Sequence, residues 1–212
     1  MLALKPANLT FEQAAAVPTA ALIALLGVRD QGQVQPGQRV LINGAGGGVG
    51  TFAVQLAKAY GADVTGVDTT RKLNMLRSIG ADQVIDYTQE DFTQSGERYD
   101  FILDNVGTRS LSDCRRLLTP EGTYQPSGTQ VGGWAGGLGY VVKALVASLF
   151  VRQQLRPFLS LPKKEDLVVL KELIEAGKVT PVIDRTYPLS EVPEAIRYME
   201  DGHARGKVVI TV

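Results

Sequence analysis

The stretch Val40-Leu41-Ile42-Asn43-Gly44-Ala45-Gly46-Gly47-Gly48-Val49-Gly50 decides the fold of this chain, because it joins a short apolar run to a cluster of glycines. The apolar run predicts a buried strand. After the glycines, Phe52, Leu56 and Tyr60 recur at helical spacing and predict a helix with one apolar face. A helix that begins at such a turn leaves backbone N–H groups unpaired, and a phosphate group can lie on them. The stretch therefore predicts a strand, a turn and a helix, with an anion site at the turn.

The spacing of these glycines is that of a dinucleotide-binding fingerprint. Against G-x-G-x-x-G the register is Ala45-x-Gly47-x-x-Gly50, with alanine in place of the first glycine. Gly47 would let the phosphates approach the backbone, and Gly50 would let the helix pack on the strand. Glycine-rich turns also serve as hairpins or linkers, so the neighbouring elements decide whether this turn is a cofactor-binding one. A strand before, a helix after, and a β-α-β unit of about thirty residues ending at Val67-Asp68 together predict binding of NAD(H) or NADP(H).

The sequence around the turn alternates short β-branched runs with longer segments of helical period. This alternation predicts an α/β Rossmann fold, a doubly wound parallel sheet with helices on both faces. We expect strands at 39–43, 63–68, 83–86, 100–105 and 122–125, and a last strand at 207–212. We expect further helices at about 71–79, 111–118, 140–155, 164–176 and 192–201. The glycine-rich segment from Gly128 to Gly139 predicts a loop at the ligand-binding end of the sheet.

The composition argues against several classes of protein. Lys plus Arg and Asp plus Glu both number 22, so no net field draws the chain to nucleic acid or to an anionic membrane. The longest apolar stretch, 141–151, contains a lysine and is too short to cross a bilayer, so we expect no membrane span. One cysteine, Cys114, and one histidine, His203, are too few for an internal disulfide or for a zinc site of the usual kind. No export signal is visible in the first ten residues, and we expect a cytoplasmic protein without a metal.

Two residue types at the end of the second strand point to different cofactors. Asp68 stands where a carboxylate can accept both ribose hydroxyls of NAD. The run Thr69-Thr70-Arg71-Lys72 follows directly, and hydroxyls with a guanidinium group suit the 2′-phosphate of NADP. Asp68 could also be a turn residue or a helix cap, and Arg71 with Lys72 could be a solvated first helical turn. The sequence leaves these alternatives open.

With these residues in view, the chain resembles the medium-chain dehydrogenase/reductase superfamily, and within it the zinc-independent quinone oxidoreductases. The resemblance covers essentially the whole chain. As an ordered set, the matching elements are far more specific than the glycine turn alone. They are Leu4-Lys5-Pro6, Ala14 through Ala20, Val34-Gln35-Pro36-Gly37-Gln38, Asn43 through Gly50, Gly80-Ala81-Asp82 through Tyr87, Asp104-Asn105-Val106-Gly107 and Gly206-Lys207-Val208-Val209-Ile210.

The resemblance implies an NAD(P)H-dependent oxidoreductase that transfers hydride to a small-molecule quinone, enone or carbonyl substrate. It implies no metal, because Ala15-Ala16 stand where zinc-bearing relatives have a cysteine ligand. Family members begin with a GroES-like catalytic domain, which this chain is expected to lack as a truncated relative. We therefore expect a junction remnant at 1–20, an NAD(P)-binding Rossmann domain at 21–185 and a helix and strand at 186–212 that would pack on the missing domain.

Without that domain, bare edges would favour a homo-oligomer. The alternative is a non-catalytic NAD(P)-binding or dimerisation module. The helix expected at 140–155 would form a substrate-side wall or subunit contact rather than a lipid-binding surface.

The resemblance also implies positions for the parts of the cofactor. Gly47, Gly48, Val49 and Gly50 would hold the pyrophosphate, while Asp68, Thr69, Thr70 and Arg71 would meet the adenosine ribose. Tyr87 would lie beside the adenosine end, Asn105, Val106 and Gly107 would border the central part, and Thr19 and Gly128 would approach the nicotinamide end. Tyr87 and Asn105 could instead be packed strand-end residues, and Thr19 could cap a helix. We name no catalytic residue, and His203 is expected to be an exposed turn residue.

Pro126 marks a departure from the family pattern, because relatives continue an apolar strand at Gln125-Pro126-Ser127. Proline removes a hydrogen-bond donor from a sheet, so the fifth strand should end or bend there.

Overall fold

The computed structural model describes residues 2–127, 152–156, 161–202 and 204–212. Its strands are β1 Arg39–Asn43, β2 Asp63–Asp68, β3 Gln83–Asp86, β4 Tyr99–Asp104, β5 Leu118–Pro126, β6 Gln154–Leu155, β7 Ile183–Pro188 and β8 Lys207–Thr211. Its α-helices are α1 Phe11–Ala15, α2 Pro18–Leu25, α3 Gly48–Ala59, α4 Thr70–Ser78, α5 Leu111–Arg116, α6 Lys164–Glu175 and α7 Val192–Glu200. A π-helical turn, Leu26–Gln31, continues α2, and Phe92–Gln94 and Leu189–Glu191 form 3₁₀ turns.

Six parallel strands form the main sheet in the order β3-β2-β1-β4-β5-β6. The first strand is central and pairs on both sides, as when Val40 aligns with Val64 of β2 and with Phe101 of β4. The chain leaves β1 in one direction along the sheet and returns to the other side of it at β4. In open parallel sheets such a reversal leaves a crevice at the carboxyl ends of the strands, where ligands bind. The predicted doubly wound Rossmann fold is confirmed.

The core lies on both faces of this sheet because alternate residues of each strand point to opposite sides. Val40 and Ile42 belong to the cluster that packs on α2, α3, α4 and α6, whereas Leu41 faces α5 and the turn at Phe92–Gln94. Both sets are fully buried. A parallel strand covered on both faces is apolar without interruption, which explains why β1 reads as a continuous apolar run.

The last two strands form a separate two-stranded parallel sheet, with α7 as the connection between them. The turn into β8 contacts the glycine turn directly, because the Gly206 N–H donates to the Gly46 carbonyl at 2.9 Å. Gly206 has a positive φ of 87°, and a methyl group on it would lie 2.4 Å from the carbonyl oxygen of Val182. Only glycine fits there, so the start of β8 is fixed beside the end of β1.

Several predicted boundaries differ from those observed. The helix predicted to reach residue 118 ends at Arg116, because the chain then enters β5, where the Leu117 carbonyl accepts a hydrogen bond from the Tyr99 N–H at 2.7 Å. Gln154–Leu155, expected to end a helix, instead form β6 beside Thr123 and Tyr124, with Leu155 buried in the core. Residues 140–151 of that predicted helix lie outside the described residues.

Strands β5 and β7 can also be compared with the predictions from the sequence. The sequence did not predict β7, which is half exposed. The predicted end of the fifth strand at Pro126 is confirmed.

Cys114 yields a prediction about pH and stability. The side chain is 2% exposed, as expected for a structural thiol, and burial, with the charge of Asp104 as a further cause, raises its pKa from 9.0 to about 12. The unfolded chain therefore loses this proton first as the pH rises, so the thiol's contribution to stability declines above about pH 9. Between about pH 8 and about pH 10 we expect the free energy of unfolding to fall by roughly 1 kcal/mol more in the native chain than in Cys114→Ala. Urea unfolding of both proteins measures this difference, and equal pH slopes would contradict the assignment.

Candidate dinucleotide site

The glycine turn places the beginning of α3 close against the end of β1. Gly44 has a positive φ of 73°, and a methyl group on it would lie 2.7 Å from Cγ2 of Val106. A methyl group on Gly50 would lie 2.2 Å from the Gly44 carbonyl oxygen and 2.6 Å from the Ala45 backbone. Gly47 is the N-cap residue of α3 and has no side chain to cap it. The first N–H groups of the helix are therefore left for a ligand, and the partial positive charge of the helix start favours an anion there.

A cavity of about 370 Å³ opens over this helix start, and we call it the dinucleotide cavity. It gathers the turn together with the ends of β2, β3 and β4, as expected at the point where the strand order reverses. Eight of the residues predicted from the sequence line it: Gly47, Gly48, Val49, Gly50, Asp68, Tyr87, Asn105 and Val106. Gly44, Lys72 and Gly202 also line it.

The carboxylate of Asp68 is buried and already hydrogen-bonded. Its Oδ2 accepts from the Gly46 N–H at 2.8 Å, and its Oδ1 accepts from the Thr69 N–H at 2.8 Å. The ammonium group of Lys72 lies 3.4 Å from Oδ1, and both side chains are almost fully buried. Burial of a charged pair costs free energy unless its groups are hydrogen-bonded, and the carboxylate of this pair has both backbone donors. Asp68 thus fixes the middle of the glycine turn from the neighbouring strand.

The residues after Asp68 have separate environments. Thr69 is the N-cap residue of α4 without a side-chain cap bond, so neither Asp68 nor Thr69 caps this helix through its side chain. The Thr70 hydroxyl donates to the carboxylate of Asp86, which lowers the pKa of that carboxyl. Arg71 is exposed and lines a different cavity.

Asp104 organises the third side of the dinucleotide cavity. Its Oδ1 accepts from Asn43 Nδ2 at 2.8 Å and from the N–H groups of Val106 at 3.1 Å and Gly107 at 2.9 Å, and its Oδ2 accepts from the Tyr124 hydroxyl at 2.8 Å. The carboxylate is 1% exposed, so these four donors replace its water. Asp104 therefore holds the turn that carries Asn105 and Val106 against the end of β1. The role of this aspartate was not predicted, although its place at the end of an apolar strand was a signal for it.

Lys207 lies beside the start of α3 although the two are far apart in the sequence. A methyl group on Gly48 would lie 3.0 Å from Cδ and 3.7 Å from Nζ of Lys207. Sequence reasoning placed Lys207 only in the last strand and missed this contact, which depends on the pairing of β8 with β7 and on the hydrogen bond from Gly206 to Gly46. No local pattern in the sequence signals it.

The remaining predicted site residues lie outside the lining of this cavity or outside the described residues. Thr19 is an exposed residue near the start of α2, whose N-cap is Val17, so Thr19 does not cap that helix. Gly107 lies in the turn that Asp104 holds, with a φ of 71°. Gly128 lies in the segment that is not described.

Two negative findings apply to the described ranges alone. In 2–127, 152–156, 161–202 and 204–212, no three His, Cys, Asp or Glu side chains are grouped as metal ligands would be. Among the helices of those same ranges, none is both long and apolar enough to span a membrane.

The strand order and the glycine turn define a Rossmann domain of the kind that dehydrogenases use. A family model described as zinc-binding dehydrogenase matches residues 79–210. The chain belongs to this family, within the medium-chain dehydrogenase/reductase superfamily, and the membership expected from the sequence is confirmed.

Three relatives illustrate the similarity. The mitochondrial NAD(P)H oxidoreductase of Mus musculus is 40% identical to the chain, over 98% of this chain and 57% of the relative. The chloroplastic NADPH-dependent alkenal/one oxidoreductase of Arabidopsis thaliana is 34% identical, over 99% of this chain and 50% of the relative. The structure of the quinone oxidoreductase from Coxiella burnetii superimposes with a TM-score of 0.86 at 33% identity, over 99% of this chain and 63% of that one. The chain thus spans between half and two thirds of the length of these relatives.

The comparisons correct the expected cytoplasmic location. Relatives that match nearly the whole of this chain are mitochondrial in the mouse and chloroplastic in Arabidopsis, so the cytoplasmic prediction was wrong. It rested on the low cysteine count and on the lack of a visible export signal, and a low cysteine count reports on redox conditions rather than on a particular compartment.

The glycine turn gives a prediction with a matched pair of variants. A methyl group on Gly47 would contact only the Gly44 carbonyl oxygen at 3.4 Å, whereas one on Gly50 would overlap the backbone of the turn. We expect Gly47→Ala to change the free energy of unfolding by less than about 1 kcal/mol and to weaken nucleotide binding at least about tenfold. Gly50→Ala should lower stability by more than about 2 kcal/mol. Urea unfolding and calorimetric titration measure both effects, and equal destabilisation by the two variants would contradict the geometry.

The hydrogen bonds of Asp104 give a second prediction. Asp104→Ala leaves four donors, two of them in buried hydrogen bonds, without this acceptor, and we expect the free energy of unfolding to fall by about 3 kcal/mol or more. Tyr124→Phe removes only one of these donors and should cost about 1 kcal/mol. Chemical unfolding of the two variants tests the difference, and a similar cost for both would show that Asp104 does not organise the turn.

Proposed function

We propose that this chain is the nucleotide-binding portion of an NAD(P)H-dependent oxidoreductase that transfers hydride to a quinone, enone or carbonyl substrate. The observation that carries the proposal is the uncapped start of α3 at Gly47, which faces a cavity lined by Lys72, and Lys207 lies beside the neighbouring Gly48. Backbone N–H groups and two ammonium groups suit the pyrophosphate of a dinucleotide. The cofactor supplies the hydride, and the protein supplies its binding and orientation.

The proposed substrate class rests on the relatives. One is an alkenal/one oxidoreductase and another is a quinone oxidoreductase, and the chain matches about half to two thirds of their length. We propose the same substrate class for the protein to which this chain corresponds, and a homo-oligomer as its assembly. We also propose the division into a junction at 1–20, a nucleotide-binding domain at 21–185 and a terminal segment at 186–212.

Zinc independence is a separate proposal. Ala15-Ala16 replace the cysteine that zinc-bearing relatives place there, and alanine offers no ligand atom. The metal content of the purified chain, measured by mass spectrometry after exposure to zinc, tests this proposal.

We further propose that the preferred cofactor is NADP(H). To select NAD, the carboxylate of Asp68 would have to accept two ribose hydroxyls. Its two oxygens already accept from Gly46 and Thr69 and lie beside Lys72, and the side chain is nearly buried. A carboxylate engaged in this way supports the turn and offers little to the ribose. The cations that follow Asp68 then favour a cofactor with an additional phosphate.

Titration of the 212-residue chain with NADPH and NADH, followed by addition of a quinone or an enone, tests the proposed function. We expect NADPH to bind more tightly than NADH and its nicotinamide absorbance to decline when the acceptor is added. Binding without oxidation across a panel of acceptors would support the alternative, a non-catalytic NAD(P)-binding module. If neither nucleotide binds, the proposed function is wrong.

Lys207 gives a sharper test of the pyrophosphate position. Lys207→Met removes a charge beside Gly48, and we expect the Kd for NADPH and the Kd for NADH to rise by about tenfold each, because both cofactors carry the pyrophosphate. Lys164→Met, at the exposed start of α6, is the matched control and should change neither. An unchanged Kd in Lys207→Met would remove this lysine from the proposed site.

A further inference from the structure

The ends of β4 and β5 lie on the other side of β1 from Asp68. A doubly wound sheet binds the two halves of a dinucleotide on either side of the point where its strand order reverses. Asp68 ends β2 on the adenosine side, so the ends of β4 and β5 are on the nicotinamide side. Asn105 follows β4 and lines the dinucleotide cavity, and Ser127 follows β5. These two residues therefore border the nicotinamide half of the proposed cofactor.

The side-chain amide of Asn105 is hydrogen-bonded at both of its ends. Its Oδ1 accepts from the Ser127 hydroxyl, and its Nδ2 donates to the Asn43 carbonyl at 3.2 Å. The backbone N–H of Asn105 donates to the same carbonyl at 3.1 Å. An amide nitrogen carries two hydrogens, and within the described part of the chain only one of them has an acceptor. The second remains for a ligand in the cavity that Asn105 lines.

These two bonds fix the direction of the amide as well as its rotamer. Turning the amide over would set its oxygen against the Asn43 carbonyl, which has no hydrogen to donate. The Ser127 hydroxyl adds a donor on the opposite side, where the amide oxygen now lies. A polar group that is held in advance loses less entropy when it binds a ligand. The pair therefore presents one N–H donor in a defined place.

The backbone at the end of β5 holds Ser127 in turn. Its N–H donates to the Asp104 carbonyl at 2.8 Å. The preceding Pro126 is aligned with Asp104 in the sheet, and its ring fixes the backbone φ angle. An apolar residue at position 127, as in a strand that continued unbroken, would offer Asn105 no hydroxyl. The hydrogen bond to Asn105 thus depends on the stretch in which this sequence departs from its family.

We propose that Ser127 is a positioning residue for the nicotinamide half of the cofactor and that it acts through Asn105. The Ser127 hydroxyl holds the Asn105 amide so that its second N–H donates to a ribose hydroxyl of that half. This inference rests on the proposed function, because it needs a dinucleotide in the cavity. Since the effect passes through Asn105, a chain without the Asn105 amide should no longer respond to the loss of the Ser127 hydroxyl.

The test uses the 212-residue chain and three ligands: NADPH, NADH and 2′,5′-ADP, which lacks the nicotinamide half. We expect Ser127→Ala to raise the Kd for NADPH and for NADH by about fivefold each, and the Kd for 2′,5′-ADP by less than about twofold. Ser127→Thr keeps the hydroxyl and should restore both cofactor affinities. The fluorescence lifetime of bound NADPH, which reports how firmly the reduced nicotinamide is held, should fall in Ser127→Ala and recover in Ser127→Thr.

A double-mutant cycle tests the route through Asn105. Asn105→Ala should raise the Kd for NADPH by about tenfold, and adding Ser127→Ala to it should raise that Kd no further. Ser95→Ala is the matched control, because Ser95 is exposed before β4 begins and its hydroxyl accepts from the Glu97 N–H at 3.3 Å. It should leave all three affinities unchanged.

Three results would overturn this inference while leaving nucleotide binding intact. They are unchanged cofactor affinities in Ser127→Ala, an equal loss for 2′,5′-ADP and the two cofactors, and additive losses in the double variant. Failure of the wild-type chain to bind either NADPH or NADH would instead overturn the proposed function.

Discussion

The close approach of α3 to the end of β1 is the constraint on which the rest of the structure depends. The Cα atom of Gly50 lies so near the Gly44 carbonyl that no side chain fits between them. This contact aims the start of the helix at the carboxyl edge of the sheet, where the strand order reverses. The unpaired N–H groups of the helix and the crevice of the sheet therefore coincide, and the proposed anion site depends on backbone geometry before any charged side chain contributes.

The peptide of Gly46 links the parts of the site that the chain supplies from distant positions. Its N–H donates to the carboxylate of Asp68, and its carbonyl accepts from Gly206. One residue thus joins the turn to β2 and to the start of β8. Residue 46 cannot readily carry a side chain, because a methyl group there would lie 2.5 Å from Cδ of Lys72. A side chain at this position, which the fingerprint leaves unspecified, would therefore displace Lys72, which pairs with Asp68.

How much of this structure the sequence predicts depends on how far apart in the chain the interacting residues lie. Strands β1, β2 and β3 were predicted at their observed residues because buried parallel strands read as apolar runs and glycine marks their turns. Strands β6 and β7 were not predicted. Gln154–Leu155 is too short to show a pattern, and β7 is half exposed and gains its partner only after α7 returns the chain. The same limit applies to the site. Eight predicted site residues line one cavity because they lie in or next to strands that the sequence reveals, whereas the nearness of Lys207 depends on β7 and was not predicted.

The equal numbers of acidic and basic residues conceal a local separation of charge. Summed over the chain, 22 cations balance 22 anions, and this argues against long-range attraction to polyanions. Around the dinucleotide cavity the arrangement differs: Lys72 lies near the end of β2, Lys207 lies at the start of β8, and the neighbouring carboxylate of Asp68 is buried and hydrogen-bonded. Salt screens charges over about 8 Å, so a small phosphate-bearing ligand responds to this local excess and not to the total. A neutral composition is therefore compatible with local recognition of a nucleotide.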